Sequence, residues 1–364
     1  MKREILVLHF LWNRFLFCMK TINFALVGTG NIAHFHARAI AMTAGAKLVA
    51  VHSRREDAGR DFAGQYGAEY FADYAILLKN PNIDAVCITT PSGTHGELGI
   101  LAARAKKHVL CEKPLEITPA RIDELVDVCA QNEVQLGATF QARFGVGALA
   151  LKRAAEEGRF GQMSQCSAYV PWFRSAAYYA SAGWRGTWEL DGGGALMNQS
   201  IHAIDLLLWI AGDVKEVSAR CGTALHHNIE VEDNAVAWLK FNNGAFGLIQ
   251  GSTTCFPGEP KRLEIKGTTG SATLVDDTLT FWQFEIEKPE DELIRNGTTS
   301  AKIGGGASDP NAISVEGHRA QIEDFASAIR EGRAPAIPGS EGRRTVELIN
   351  AIYQSSRESC IVQL

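Results

Sequence analysis

The run Gly28-Thr29-Gly30-Asn31-Ile32-Ala33 constrains this chain more than any other stretch. It joins a short apolar segment, residues 22–27, to a segment that reads as a helix over 31–44. A glycine turn between a first strand and a helix is the corner at which an α/β unit cradles a dinucleotide. Gly28 permits the tight turn, Gly30 lets backbone amides approach a pyrophosphate, and Ala33 lets the helix pack closely on the strand. The helix N-terminus then presents aligned N–H groups to the phosphates, which adds Asn31 and Ile32 to the candidate contacts.

The strand–helix rhythm continues through apolar segments at 47–51, 85–89, 109–111 and 135–138. Strands alternating with helices imply a parallel, doubly wound sheet. Near residue 145 the pattern changes. Segments 164–169, 235–241, 245–251 and 262–266 follow, with glycine turns at Asn243-Gly244 and Thr269-Gly270, and they predict a largely antiparallel sheet. One strong helix, 195–211, interrupts it and is stopped by Gly212. Helices are expected again over 316–331 and 339–355, and the Gly-, Ser- and Thr-rich stretch 297–312 reads as a mobile loop.

A chain of 364 residues accommodates two domains. The expected division is a dinucleotide-binding domain over 20–142 and a substrate and oligomerisation domain over 143–364, with the last helices packing back on the first domain. Residues 1–19 stand apart. Met1-Lys2-Arg3 and the apolar run after it resemble a signal peptide, but His9, Asn13 and Arg14 interrupt the run and no small-residue cleavage site follows. The run is also too short to span a bilayer. The reading is an upstream start codon preceding a start at Met19.

With a net charge of −5 and no run of lysine or arginine, nucleic acid and anionic membrane are poor partners. Eight cysteines are scattered without a Cys-x-x-Cys pair, which fits reduced thiols in a cytoplasmic enzyme better than a disulfide framework. No metal is expected: His226 and His227 are sequence neighbours, and His34 and His36 would leave a helix on different sides.

Dinucleotide sites built for NAD place a carboxylate at the second strand's tip to bind the adenosine ribose. Here that tip reads His52-Ser53-Arg54-Arg55, so Ser53 and Arg54 are expected to welcome a 2′-phosphate and to favour NADP over NAD, with Glu56 or Asp57 as the competing ribose ligands. Thr90, Pro91 and His95, after the strand at 85–89, lie at the carboxyl edge of the sheet and are further candidate cofactor contacts.

Chemistry is concentrated at two places. Cys111-Glu112-Lys113-Pro114 ends a strand, which makes Lys113 a candidate proton-transfer group and Glu112 a neighbour of the nicotinamide site. Asn198 and His202 lie four apart on the 195–211 helix and share a face, with Asp205 placed to orient His202 or cap a loop. Burying such a polar stripe without purpose is costly. Asp191-Gly192-Gly193-Gly194, just before that helix, lets the backbone bend tightly beside a ligand.

Together these elements resemble the glucose-fructose oxidoreductase/inositol dehydrogenase (Gfo/Idh/MocA) family. The resemblance runs through Gly28 to Ala33, Glu112-Lys113-Pro114, Gln141-Ala142-Arg143-Phe144, Trp184-Arg185-Gly186, Gly192 to His202 and Gly317-His318-Arg319, and so covers residues 20–364. It implies an N-terminal Rossmann domain and a C-terminal α/β domain with a large, mostly antiparallel open sheet that serves as the interface of a homodimer or homotetramer. It also implies that Lys113 and His202 are the catalytic pair, that Pro114 follows a cis peptide bond, and that Trp184 and Arg185 reach toward the cofactor. Gln141 and Arg143 would line the nicotinamide or substrate pocket. Many members carry Asp where this chain has Asn198, so here Asn198 would hydrogen-bond a sugar hydroxyl.

The expected activity is hydride transfer between a nicotinamide cofactor, NADP or NAD, and a secondary hydroxyl or ketone of a sugar, polyol or nucleotide-sugar. Two rivals have other signatures. A redox-assisted glycosidase would hold NAD tightly and release an aglycone without net reduction. A non-catalytic cofactor sensor could dispense with Lys113 and His202. Tyr178, Tyr179 and Trp184 offer faces for a sugar ring, although core packing explains aromatics equally well.

Overall fold

The computed structural model describes residues 20–297 and 314–364. The 1–19 extension, and all but the first residue of the 297–312 loop, lie outside the described residues.

Six short strands, β1 (Ile22–Val27), β2 (Ala46–His52), β3 (Glu69–Phe71), β4 (Ala85–Ile88), β5 (His108–Cys111) and β6 (Leu136–Ala138), form a parallel sheet ordered β3-β2-β1-β4-β5-β6. Their near-continuous apolar character suits burial on both faces. On one face α1 (Asn31–Met42) and α2 (Glu56–Tyr66) pack Ala33, Ile40 and Phe62 against Phe24 and Leu26. On the other, α4 (His95–Arg104) and α5 (Pro119–Gln131) contribute Ile100, Ile122 and Leu125; a one-turn helix, α3 (Tyr74–Leu78), precedes β4. Strand order reverses between β1 and β4, and the crevice beyond their carboxyl ends is where such a sheet takes a ligand.

The second sheet has eight strands: β7 (Met163–Pro171), β8 (Val214–Gly222), β9 (Asn234–Phe241), β10 (Phe246–Ser252), β11 (Arg262–Gly267), β12 (Gly270–Val275), β13 (Thr278–Phe284) and β14 (Val362–Gln363). They are ordered β13-β12-β11-β7-β10-β9-β8-β14, and every pairing is antiparallel except β10 with β7. Alternate residues of β9 and β10 turn inward: Ala235, Ala237, Leu239 and Ile249 are buried while Val236, Phe246 and Leu248 are exposed. The inner face is covered by α6 (Val146–Glu156), α8 (Ile201–Ala211) and α11 (Gly339–Glu358). A short α7 (Ala176–Ala180) and α9 (Pro289–Gly297) lie in connections.

Two departures from the sequence expectations have physical causes. The helix expected over 195–211 is two pieces, a wider π-helical turn at Ala195–Ser200 and then α8, because the buried Glu232 carboxylate takes the Gly194 and Leu196 amides at 3.0 and 2.8 Å. Strands β8 and β12–β14 give little apolar signal: Lys215 and Arg220 on β8 and Thr280 and Gln283 on β13 are exposed, and Phe281, exposed beside Thr280, breaks the alternation. Of the last helices, α10 (Glu316–Glu331) buries Ile322, Phe325 and Ala326 in the same cluster as Phe24, so the first sheet's core includes residues three hundred positions away. Among the described residues no helix is long and apolar enough to cross a membrane, and the seven described cysteines are free.

Candidate active site

The carboxyl ends of β1, β2, β4 and β5 open into a cavity of about 880 Å³ whose far wall belongs to the second sheet. Gly28, at φ +100°, makes the turn after β1; a side chain there would press on the Thr89 carbonyl at 2.9 Å. Gly30 is different. Nothing lies within 4 Å of where its Cβ would stand, so the glycine keeps open a space that borders the N-terminus of α1. No side chain caps that terminus, which leaves its amides to a phosphate. Gly28, Gly30, Asn31, Ile32, Ser53, Arg54, Thr90, Pro91, Glu112, Lys113, Gln141, Trp184, Arg185, Asn198 and His202 all line this one cavity.

His95 does not. Its ring is 1% exposed and strung between the Pro114 carbonyl (2.8 Å) and the Thr90 carbonyl (2.9 Å). It therefore braces the β4 loop against the loop after β5, and its expected contact with cofactor is corrected to a structural one. Arg143 is a second correction. Instead of lining the pocket it is buried in a two-pronged pair with Asp205 (2.8 and 2.7 Å), backed by Glu341 at 2.9 Å. Asp205 is thereby committed to Arg143 and to the Thr345 hydroxyl (3.2 Å), not to His202.

At the β5 end, Lys113 precedes a cis proline. Its Nζ donates to the Asn198 carbonyl at 2.9 Å, and its backbone N–H donates to Glu112 Oε2 at 3.0 Å. Burial lowers the Lys113 pKa; Arg185 and Arg174 push the same way, while Glu112 and Asp191 oppose them. Glu112 is buried, and burial alone would raise it. The His36 hydrogen bond at 2.7 Å, with the charges of His36, His318 and Lys113, outweighs burial and holds the carboxyl at about 2.

His202, on the first turn of α8, packs edge-on against Phe140 with ring centres 5.9 Å apart. Burial, and then the charge of Lys113, drives its pKa well below the ordinary histidine value, so it is neutral at pH 7. Its Nδ1 is buried with no hydrogen-bond partner. Asn198 sits one turn earlier with its side chain engaged at both ends: Nδ2 donates to Asp191 Oδ1 and Oδ1 accepts from Gln199 Nε2 at 2.7 Å. Asp191, which takes the Asn198 amide, also accepts from the Gly186 amide at 2.9 Å.

Orphaned polar atoms in this cavity fit a polar ligand: Gln141 Oε1, Arg185 Nε, Trp172 Nε1 and His202 Nδ1 are buried without partners. With the open space at Gly30, they match a dinucleotide that reaches from the β2 tip to Lys113. At that tip Ser53 Oγ is tied to Thr29 Oγ1 (3.2 Å) and the Arg55 amide (3.3 Å), Arg54 lines the cavity, and Glu56 is paired with Arg60 at 2.7 Å.

Sequence reasoning missed Trp172, Arg174, Gln199 and Lys261 on the far wall, and gave Asp191 no role of its own. The only signal for Asp191 was its place before the triple glycine. The trio His36, Glu112 and His318, whose ligating atoms lie within 4.8 Å of one another, was also missed, since its members come from α1, β5 and α10.

Residues 22–140 match the family model described as the oxidoreductase family with NAD-binding Rossmann fold (GFO/IDH/MocA), and residues 148–273 match the GFO/IDH/MocA C-terminal domain. Among curated relatives, the chain is 27% identical to the myo-inositol 2-dehydrogenase of Thermotoga maritima over 93% of this chain and 97% of that one. It is 31% identical to an uncharacterised oxidoreductase, YrbE, of Bacillus subtilis, over 92% and 94%. Among solved structures it resembles the WlbA dehydrogenase from Bordetella pertussis in complex with NADH and UDP-GlcNAcA, with TM-score 0.86, 32% identity, and 95% and 98% of the two chains covered.

Proposed function

The chain belongs to the Gfo/Idh/MocA family of NAD-binding oxidoreductases, and from that membership we propose that Lys113 and His202 handle the proton while a secondary hydroxyl of a sugar, polyol or nucleotide-linked sugar is oxidised, or its ketone reduced. The nicotinamide, when bound, accepts or supplies the hydride. Oxidising CH–OH to C=O also releases the hydroxyl proton. Lys113, its pKa lowered by burial and two arginines, exchanges a proton nearer neutrality than a solvated lysine does. Neutral His202 offers a ring nitrogen to the same hydroxyl. Asn198, clamped by Asp191 and Gln199, positions the carbonyl that holds Lys113 Nζ.

One observation carries this reading: Lys113 Nζ, His202 and the open space at Gly30 share one cavity. The named inositol dehydrogenase and the sugar-nucleotide complex among the relatives support the substrate class. The test is reduction of NAD⁺ and of NADP⁺ over a panel of inositols, hexoses and UDP-sugars. Replacing Lys113 by Met is expected to lower kcat roughly 10²–10⁴-fold while NADH affinity stays within about threefold; turnover that survives the substitution removes Lys113 from the chemistry.

At the adenosine end we read Ser53 and Arg54 as a 2′-phosphate site, because the chain after β2 reads Ser53-Arg54-Arg55 with no carboxylate before Glu56, which pairs with Arg60 at 2.7 Å. Arg54→Ala is expected to weaken NADPH roughly tenfold or more and NADH much less; equal weakening would refute a phosphate clamp. Exposed Val236, Phe246 and Leu248 on the outer face of the second sheet, with half-buried Trp238 packed on Phe246, support a homodimer or homotetramer formed there. Free, largely buried thiols support a cytoplasmic setting.

A further inference from the structure

Residues 175–190 run past the cavity as a single layer of chain. Tyr178, Ala182, Trp184 and Arg185 line the cavity, whereas Ala177, Ala180, Gly183 and Trp188 of the same segment are exposed to solvent. The segment therefore stands between the cavity and bulk water. In its own domain it is tied by the Tyr179 hydroxyl to Thr253 Oγ1 at 2.9 Å and by the Gly186 carbonyl to the Glu230 amide at 2.8 Å. The Trp188 amide adds a bond to Glu230 Oε2 at 2.9 Å.

Toward the first domain the segment closes on Gly93, in the turn Ser92–Thr94 after β4. The Gly93 amide donates to the Leu190 carbonyl at 2.9 Å, and a Cβ at Gly93 would overlap the Glu189 carbonyl. Gly93 does not have a positive φ, so its backbone conformation is open to any residue. What excludes a side chain there is the approach of the segment.

The turn that carries Gly93 is held in place. Its carbonyl takes Arg121 Nη2 at 2.8 Å, and Thr94 Oγ1 donates to the Pro91 carbonyl at 2.7 Å. Ser92 and Thr94, on either side of Gly93, line the cavity, which puts the junction at its rim. With the first-domain half anchored, opening falls to the segment. A single neutral backbone hydrogen bond shifts an equilibrium by roughly 2–12-fold, enough to favour closure and weak enough to be released.

We propose that residues 175–190 form a strap across the bound dinucleotide and that the Gly93–Leu190 contact is its latch, so that strap opening sets the rate at which cofactor enters and leaves. This rests on the dinucleotide-binding reading above and adds a control on exchange at the same site. Gly93, Glu189 and Leu190 do not line the cavity, so the latch governs access without contributing a cofactor contact.

The test is rapid mixing of the full chain with increasing NADH and, separately, NADPH, followed by nucleotide fluorescence. The observed binding rate is expected to level off at high nucleotide, at the rate of strap opening. Gly93→Ala, which pushes the Glu189 carbonyl away, should raise that plateau at least about threefold. It should speed nucleotide release as well, so that Kd changes less than either rate. Glu230→Ala, an exposed substitution that frees the Trp188 amide, should act in the same direction and decides the matter if Gly93→Ala does not fold. A binding rate that rises in proportion to nucleotide throughout, or a plateau that neither substitution moves, overturns the strap. So does a Gly93→Ala variant with faster release and unchanged entry, since the glycine would then serve a cofactor contact. Failure to bind either nucleotide sinks the oxidoreductase reading and the strap with it, whereas binding at an ungated rate sinks only the strap.

Discussion

Gly30 separates two demands that usually coincide in a glycine. Its φ of −75° and ψ of −179° are open to any residue, and no atom lies near its absent Cβ. Neither backbone nor packing in the protein alone requires glycine there; only a ligand filling the space does. Gly30→Ala is accordingly expected to unfold no earlier than the parent, with a gain of up to about 0.4–1 kcal/mol from a less flexible unfolded chain. Its NADH affinity should fall at least tenfold. Differential scanning calorimetry with fluorescence titration checks both, and a variant that binds NADH normally would mean that the cofactor does not run over this turn. Of the residues expected to form the site, most came to line the cavity. His95 and Arg143 did not, because their partners, the Pro114 carbonyl and Asp205, are set by loops and helices that meet only in the fold.

At the scale of elements, the His36–Glu112–His318 trio joins α1, the end of β5 and α10, all three residues buried and Glu112 next to Lys113 in the chain. His318 is held at about 3, first by burial and then by the charge of His36, and Glu112 at about 2. The signs agree. Below pH 6.5 the unfolded chain takes up a proton at His318 that the folded chain refuses, and below 4.5 the same holds for Glu112, so stability falls as pH drops through these ranges. Glu232, raised by burial to about 7, acts in the opposite sense: its share of stability, present below 4.5, is lost as pH rises toward 7. Comparison of the wild type with His318→Gln cancels the Glu232 contribution. The Tm gap between the two proteins is expected to narrow as pH is lowered from 7.5 to 4.5; a gap that stays constant would mean that His318 is not neutral in the fold. Nothing in the local sequence of α1 or α10 announces this junction, since each histidine reads there as one polar residue in an amphipathic helix.

For the whole molecule, the eight-stranded sheet covers one face with α6, α8 and α11, and among the described residues its other face is bare. Val236 is 53%, Phe246 50% and Leu248 41% exposed, and Trp238 packs on Phe246 with ring centres 5.8 Å apart. Register places Leu248 opposite Trp238, so these apolar side chains form one continuous patch. A second copy of the chain is the proposed cover. Phe246→Glu is expected to shift the molecular mass measured by light scattering toward that of a single chain, with Tm lowered in step. An unchanged mass would place the interface elsewhere or show the chain to be monomeric.

The sequence by itself determined the architecture of the first half, because a parallel sheet buried on both faces must be built from short apolar runs, and the glycine corner has to follow the first of them. It also pointed to Lys113, Asn198 and His202, polar residues that stand out against apolar neighbours and line one cavity. Only the tertiary structure decided what surrounds them. Asp191 supplies a carboxylate to Asn198, Glu232 shapes the turn that carries it, and Trp172 and Arg174 face the lysine across the cavity. These groups come from separate elements, and their burial, charge and partners arise when the two sheets close on one another. Local pattern reports how a segment buries its own side chains, whereas a pKa or an unsatisfied donor depends on what the rest of the chain brings against it.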